Sequence, residues 1–153
     1  MIERRQQDLA EWERFYLELA RTVRRKSKDP STQVGAFIAR PDNSPVSFGY
    51  NGFPRGVADT ESRLNDRAEK YPRTVHAELN AILNSRERLD GYTLFVTPLT
   101  PCPVCAGAII QSGIKRVVAE YVGNRIAYDE HFEIAVSMFR EAGVKLIVTR
   151  AEP

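Results

Sequence analysis

The stretch that decides the fold is residues 92–105, YTLFVTPLTPCPVC. Positions 92–97 are rich in residues that favour β-structure, which predicts a buried central strand. The prolines after position 97 end this strand, and Pro103 suits the first position of a helix that runs to about Ser112. A strand that leads directly into a helix is typical of α/β proteins. It also places both cysteines of the chain, Cys102 and Cys105, at the start of that helix.

Helix and strand patterns alternate on both sides of this stretch. Residues 8–26 are predicted to form an amphipathic helix with Trp12 as a core anchor, and residues 33–40 and 45–50 an antiparallel hairpin. Later patterns predict a helix at 77–88, a strand at 116–119, a helix at 129–142 and a last strand at 144–148. Because strand–helix–strand crossovers favour parallel pairing, this order predicts one α/β domain with a mixed sheet.

A long polar segment, residues 52–73, separates the hairpin from the helix at residues 77–88. It is charged and not clearly periodic, although residues 61–69 could form a short helix. Loops longer than roughly 12–15 residues are usually binding loops, lids or disordered segments. The segment is therefore either a solvated surface insertion or a loop beside a ligand site. We favour the ligand site, because the segment runs directly into His76.

The composition argues against several classes of protein. The 153 residues include 22 basic and 20 acidic side chains, so nothing indicates a polyanion-binding surface. No apolar run approaches the roughly 20 residues of a membrane helix, and the polar N-terminus lacks the apolar segment of a secretory signal. We therefore expect a cytoplasmic protein without membrane contact. In that reducing compartment, a C-x-x-C pair is more often metal-binding or catalytic than a disulfide.

The two cysteines have the spacing of metal ligands. With Pro103 as the first helical residue, Cys102 is the N-cap and Cys105 lies three positions further on. This spacing directs both sulfur atoms to the same end of the helix. There the helix dipole and the free backbone N–H groups favour thiolates over thiols. Two thiolates in this arrangement supply half of a tetrahedral zinc site.

His76 is the obvious third ligand. In a regular helix His76 and Glu78 would lie about 200° apart and could not face one site. They converge if His76 lies just before the helix, and the β-branched Thr74 and Val75 favour such an extended approach. Three protein ligands leave zinc a fourth position for water, which is typical of a catalytic site. The other histidine of the chain, His131, is expected to be an ordinary helical residue.

Glu78 is then a carboxylate beside the zinc that is not itself a ligand. Zinc lowers the pKa of bound water towards about 7, and a nearby carboxylate can pass that proton to a ring nitrogen and a leaving amine. This chemistry suits hydrolytic deamination of an amidine-like ring carbon. An H-x-E motif followed by P-C-x-x-C is the signature of zinc-dependent nucleobase deaminases. The alternative role for Glu78 is electrostatic stabilisation of the helix N-terminus.

Six motifs of the chain match a known group of proteins. They are SKDP at residues 27–30, QVGA at 33–36, GYNGFP at 49–54, HAELNAI at 76–82, PCPVC at 101–105 and IIQSGIK at 109–115. In these motifs the chain resembles the cytidine deaminase superfamily, and within it most closely the deoxycytidylate (dCMP) deaminases. The resemblance covers most of residues 20–148. It implies a cytidine-deaminase-like layered α/β fold, in which a five-stranded mixed sheet has helices on both faces.

The resemblance also implies an activity and the residues that perform it. One zinc ion per subunit, with a bound water, would serve the hydrolysis of dCMP to dUMP and ammonia, and Glu78 would shuttle protons. Asn51 would contact the nucleotide sugar, and Ala77 would also bind substrate. The resemblance implies homo-oligomers, often hexamers, and in many members activation by dCTP and inhibition by dTTP. Some relatives hold a second zinc through loop cysteines and histidines, but residues 52–75 contain neither, so no second zinc is expected.

A nucleotide substrate needs a cation for its phosphate. Lys28, beside the approach to the first hairpin strand, is one candidate. Arg125, in the loop after the fourth predicted strand, is another. For both residues, a solvated surface charge is the commoner role.

Other functions fit the same motifs less well. The site could belong to a deaminase of another small nucleobase or nucleoside, or of a base within tRNA. The near-neutral charge and the lack of a clustered basic–aromatic surface argue against a nucleic-acid substrate. A non-catalytic zinc module and a C-x-x-C redox protein are further alternatives. The redox alternative leaves His76 and Glu78 unexplained.

Overall fold

Helices and strands alternate along the chain, as the sequence predicts. The computed structural model describes residues 1–123 and 130–151. The strands are β1 (Ile2–Arg4), β2 (Gly35–Ala39), β3 (Pro45–Tyr50), β4 (Thr93–Thr97), β5 (Arg116–Tyr121) and β6 (Lys145–Arg150). The helices are α1 (Glu11–Arg24), α2 (Glu61–Leu64), α3 (Arg67–Arg73), α4 (Ala77–Asn84), α5 (Pro103–Gln111) and α6 (Glu130–Glu141), with a 3-10 turn at Gln6–Asp8. None of these described helices is long and apolar enough to cross a membrane.

One mixed sheet joins the strands of the described residues, in the order β1-β6-β5-β4-β2-β3. β2 pairs antiparallel with both β3 and β4, whereas β4, β5, β6 and β1 are parallel neighbours. The predicted hairpin, central strand and parallel C-terminal half are confirmed. The prediction of five strands is one short, because β1 adds a sixth strand beside β6. Three residues, of which Ile2 and Glu3 are exposed, carry too little pattern to predict a strand.

Helices cover both faces of the sheet. On one face Tyr16 and Leu17 of α1 pack against apolar side chains of β2, β4, β5 and β6. On the other face α4, α5 and α6 enclose a larger core that includes Ala81, Ile109 and Phe139. A sheet between two helical layers is the layered α/β arrangement that the sequence predicts.

The predicted role of Trp12 as a core anchor is wrong. Its side chain is 48% exposed, whereas Tyr16 is buried. The ring centroid of Tyr16 lies 5.0 Å from that of Phe95 in β4, so Tyr16 is the aromatic anchor of this face. Trp12 lies one turn earlier and packs edge-on against Phe15, at a centroid distance of 5.5 Å. The apolar stripe of α1 is therefore rotated from the one that the periodicity predicts.

Two buried carboxylates explain this rotation, because they fix α1 to the sheet. Glu13 of α1 forms an ion pair with Arg116 of β5. Glu120 of β5 forms an ion pair with Arg21 of α1 and accepts a hydrogen bond from Thr97 Oγ1 at 2.9 Å. Since an unpaired buried charge is costly, both carboxylates must meet their arginines. Their positions set which face of α1 points inward.

Helix α4 approaches the edge strand β3 closely at Gly49. A Cβ atom on Gly49 would lie 2.4 Å from the backbone nitrogen of Ala81 and 2.6 Å from the carbonyl oxygen of Ala77. No side chain fits in that space. Gly49, the first residue of the GYNGFP motif, therefore determines how closely the first turn of α4 approaches β3. That turn carries the H-x-E motif.

Two amide side chains of α4 reinforce this contact. Nδ2 of Asn80 donates a hydrogen bond to the carbonyl oxygen of Tyr50 at 2.8 Å. Nδ2 of Asn84 donates to the carbonyl oxygen of Phe48 at 2.9 Å. Both acceptors belong to β3, so α4 is bonded to the strand along its length.

Gly49→Ala is expected to lower the free energy of unfolding by about 3 kcal/mol, because the methyl group forces α4 away from β3. Urea denaturation measures this change. Gly52→Ala is the matched control, since a Cβ atom at Gly52 would meet nothing within 4 Å. Equal stabilities of the two variants would contradict the close packing described for Gly49.

Candidate metal centre and active site

The H-x-E motif begins helix α4 as the sequence predicts. His76 is the N-cap residue, with an extended backbone at φ −68° and ψ 154°. Val75 before it is held by backbone hydrogen bonds with Gly52 in both directions, at 2.8 and 3.1 Å. Glu78 is the second helical residue and is only 5% exposed. Because His76 lies outside the regular helix, its side chain and that of Glu78 can face the same site.

The C-x-x-C motif begins helix α5 in the same way. Cys102 is the N-cap, with an extended backbone at φ −74° and ψ 169°, and Pro103 follows at the first helical position. Nδ1 of His76 lies 3.3 Å from Sγ of Cys105 and 3.6 Å from Sγ of Cys102. The three donor atoms all lie within 4.8 Å of one another. Two helix N-termini thus bring one imidazole and two sulfur atoms together.

This donor set fits zinc. Tetrahedral zinc, with bonds of roughly 2.1 Å to nitrogen and 2.3 Å to sulfur, separates its donor atoms by about 3.6 Å. The two measured nitrogen–sulfur distances, 3.3 and 3.6 Å, are close to that value. His131 is exposed on α6 and is not part of the metal-ligating group found among the described residues. The arrangement therefore offers three ligands and leaves one position of a tetrahedron open.

The electrostatics of the sulfur atoms favour metal binding. A hydrogen bond from Cys105 lowers the pKa of Cys102 to about 3, against the effect of burial, and His76 lowers it further. The same hydrogen bond and burial raise the pKa of Cys105. The hydrogen bond to Cys102 also raises the pKa of His76, although burial opposes it. Cys102 is thus a thiolate at neutral pH, and a bound metal would displace the proton that Cys105 holds.

Glu78 lies beside this cluster but supplies none of its donor atoms. Burial raises the pKa of Glu78, although its own backbone N–H and the charge of His76 partly offset the change. A raised pKa makes a carboxyl group a better proton acceptor, which is the property that a general base needs. The geometry therefore suits Glu78 to proton transfer next to a metal.

The metal-ligating group opens into a cavity of about 410 Å³, which His76, Glu78 and Cys102 help to line. This volume is in the range of small-molecule sites. Asn51 and Ala77 also line the cavity, as contacts with a substrate require. The candidate metal-ligating group, the Glu78 carboxyl group and a ligand-sized space thus lie together.

Comparison with known proteins identifies the family. A family model for the cytidine and deoxycytidylate deaminase zinc-binding region matches residues 10–121. The chain belongs to this family. The resemblance and the zinc cofactor predicted from the sequence are therefore confirmed, since the family binds zinc and the chain provides a suitable donor set.

Individual deaminases are similar over most of the chain. Deoxycytidylate deaminase of Mus musculus is 38% identical over 147 residues, which cover 92% of this chain and 81% of the mouse protein. An uncharacterized deaminase of the luxG 3′ region of Aliivibrio fischeri is 41% identical over 140 residues. These residues cover 90% of this chain and 93% of the Aliivibrio protein. The crystal structure of dCMP deaminase from the cyanophage S-TIM5, in complex with dCMP and dUMP, matches with a TM-score of 0.73 at 25% identity. That match covers 92% of this chain and 98% of the phage chain.

In this deaminase, Asn51 forms hydrogen bonds with other residues of the chain. Its Oδ1 accepts a hydrogen bond from the backbone N–H of Val34 at 2.8 Å, and its Nδ2 donates to the carbonyl oxygen of Thr32 at 2.8 Å. Its own carbonyl oxygen accepts a hydrogen bond from Ser27 Oγ at 2.8 Å. The side chain therefore shapes the cavity wall at residues 32–34. One amide hydrogen of Nδ2 remains for a ligand.

Of the two predicted phosphate cations, the structure describes only Lys28. Lys28 is exposed and its ammonium group pairs with Asp59 at 2.9 Å, and neither residue lines the cavity. Lys28 lies in the irregular segment after α1, where its ammonium group has an acidic partner at the surface. Arg125 lies outside the described residues.

Several residues of the cavity wall were not predicted as site residues, among them Asp29, Lys70 and Tyr71. Lys70 and Tyr71 come from α3, within the long polar segment. The length of that segment predicted a ligand site beside it, which the structure supports. No local pattern, however, indicated which of its many charged side chains would turn inward.

Proposed function

We propose that the protein is a zinc-dependent deoxycytidylate deaminase, which hydrolyses dCMP to dUMP and ammonia. The observation that carries this proposal is the buried Glu78 carboxyl group beside the His76, Cys102 and Cys105 cluster, in a cavity of ligand size. The names of the mouse relative and of the cyanophage structure with dCMP and dUMP support the choice of substrate.

In the proposed mechanism, His76, Cys102 and Cys105 hold the zinc ion. When bound, zinc supplies a Lewis acid that makes water nucleophilic near neutral pH. Glu78 takes one proton from the attacking water and gives it to the ring nitrogen next to the reacting carbon. It then takes the proton of the new hydroxyl group and gives it to the amino group, which leaves as ammonia. The carboxyl group ends in the state in which it began, so it acts as a carrier.

Two further residues orient the base and the sugar in this proposal. Ala77 is the first residue of α4, where backbone N–H groups have no partner within the helix. Its N–H can donate to the carbonyl oxygen of the pyrimidine ring. The free amide hydrogen of Asn51 can donate to a sugar oxygen.

The proposal predicts that zinc-loaded protein releases ammonia from dCMP with a higher kcat/KM than from CMP, dCTP, deoxycytidine or cytosine. A coupled ammonia assay on each of these five compounds measures the five kcat/KM values. Removal of zinc with a chelator should abolish the activity, and added zinc should restore it. Failure to release ammonia from any of the five would refute the proposed function. Faster turnover of deoxycytidine than of dCMP would refute the nucleotide specificity alone.

We further propose that the enzyme is a cytoplasmic homo-oligomer, with a hexamer as one candidate. Phe48, Tyr50 and Leu83 are 48%, 39% and 67% exposed, and all three line one groove between β3 and α4. Exposed apolar side chains that lie together often mark subunit interfaces. The free thiols of both cysteines agree with a reducing compartment. Light scattering gives the subunit number, and kinetics with added dCTP or dTTP test the proposed effectors.

A further inference from the structure

Lys70 is a buried cation in the wall of the catalytic cavity. It lies in α3 and is 4% exposed, which is rare for a lysine. Its ammonium group donates hydrogen bonds to Asp29 Oδ1 at 3.1 Å and to Ser31 Oγ at 3.4 Å. Asp29 and Ser31 also line the cavity. The charged end of Lys70 is therefore held at the cavity by two residues of its wall.

The partner carboxylate holds this ammonium group in place. Burial alone would raise the pKa of Asp29, but the backbone N–H groups of Ser31 and Thr32 and the ammonium group of Lys70 hold it below its usual value. Asp29 is therefore ionised at neutral pH. Of the three N–H donors of the ammonium group, Asp29 and Ser31 take two, which leaves one for a ligand.

The charge of the substrate makes such a donor necessary. A phosphate monoester carries a charge of about −1.5 to −2 at pH 7. Transfer of that charge into a cavity is costly unless a cation or several hydrogen bonds meet it. Among the described residues of the cavity wall, Lys70 is the one lysine or arginine. The hydroxyl group of Ser31, which accepts a hydrogen bond from Lys70, is a side-chain donor of the kind that phosphate oxygens also use.

We propose that the ammonium group of Lys70 binds the phosphate of the nucleotide and so determines the preference for dCMP over deoxycytidine. The inference rests on the proposed function and specifies its phosphate contact. Asp29 acts as a positioning residue, because its carboxylate holds the ammonium group in the cavity wall. The long polar segment before His76 thereby gains a role: it carries the specificity residue into a site that other segments build.

A purely structural role is the competing explanation. The Lys70–Asp29 pair joins α3 to the segment after α1 and would stabilise the cavity wall without touching substrate. A structural role predicts that loss of Lys70 reduces the turnover of all substrates alike. A phosphate contact predicts a loss only for substrates that carry the phosphate.

The test is the ratio of kcat/KM for dCMP to that for deoxycytidine in Lys70→Met. The ratio is expected to fall roughly 10- to 100-fold, the loss of one hydrogen bond to a charged group, while turnover of deoxycytidine stays within about twofold of the parent. Lys70→Arg should retain most of the ratio, since the charge remains. Lys145→Met, at an exposed position of β6, is the control and should leave the ratio unchanged. An unchanged ratio in Lys70→Met, or an equal loss for both substrates, would overturn the inference.

A second variant covers the case in which Lys70→Met does not fold because Asp29 is left unpaired. The double variant Asp29→Asn, Lys70→Met removes both charges and leaves no buried ion alone. It should show the same fall in the ratio. The test also distinguishes a failure of this inference from a failure of the proposed function. If the parent protein does not act on dCMP, the function is wrong, whereas an active parent and an unchanged ratio count against Lys70 alone.

Discussion

Glu78→Gln is expected to release ammonia from dCMP about 10³-fold more slowly than the parent protein while it keeps its zinc and its fold. Glutamine has the shape of glutamate but cannot accept and return a proton, and general acid–base catalysis typically contributes 10²- to 10⁴-fold. Glu78 supplies no donor atom to the metal-ligating group, so its replacement removes no ligand. The loss should therefore appear in kcat.

Three measurements check this result: steady-state kinetics, zinc content by elemental analysis, and the thermal unfolding midpoint. Glu133→Gln is a suitable control, because Glu133 is exposed on α6. That control should keep the parent rate. Turnover of dCMP by Glu78→Gln at the parent rate would refute the role of Glu78 as proton carrier.

Cys105→Ala is expected to lose the zinc and, with it, all measurable deamination. Cys105 is 2% exposed and its sulfur lies 3.3 Å from Nδ1 of His76, so its replacement removes one of the three donor atoms of the group. The stabilisation that the metal gives to the folded state is also lost. At free zinc 100-fold above its Kd, that loss is about 2.7 kcal/mol.

Elemental analysis of the purified variant and thermal unfolding with and without added zinc test this expectation. Val104→Ala is the control on the same helix, since Val104 is 76% exposed and its side chain is not a metal ligand. The control should bind zinc as the parent does. Full zinc retention by Cys105→Ala would show that the metal has a different ligand set.

Local sequence signals were sufficient to predict the metal centre. Each half of the site is the beginning of a helix, and helix starts depend on a few neighbouring residues. Pro103 places the start of α5 and makes Cys102 the N-cap. The β-branched residues before His76 favour the extended backbone that the structure has there. These signals place the ligands at two helix starts, and the packing of α4 and α5 in one core brings the two starts together.

The features that the sequence did not reveal depend on contacts between distant segments. The rotation of α1 depends on arginines that meet Glu13 and Glu120 from another element. The burial of Lys70 depends on Asp29, which is 41 residues away in the chain. Periodicity treats every charged residue as solvent-facing, so it placed Trp12 inside, and it gave no sign that Lys70 is buried. An ion pair lets a charged residue be buried, and because the partner is distant in the chain, the neighbouring sequence gives no sign of it.

The amide bonds from Asn80 and Asn84 to β3 have a consequence for how chains can meet. β3 is the end of the sheet, and an open sheet end is a template on which strands of other chains add and aggregate. The carbonyl groups of Phe48 and Tyr50, which an added strand would need as acceptors, already receive the two amide donors. Sheet extension across subunits is therefore disfavoured at this edge. Any assembly here must use the exposed side chains of Phe48, Tyr50 and Leu83, so that subunits associate without merging their sheets.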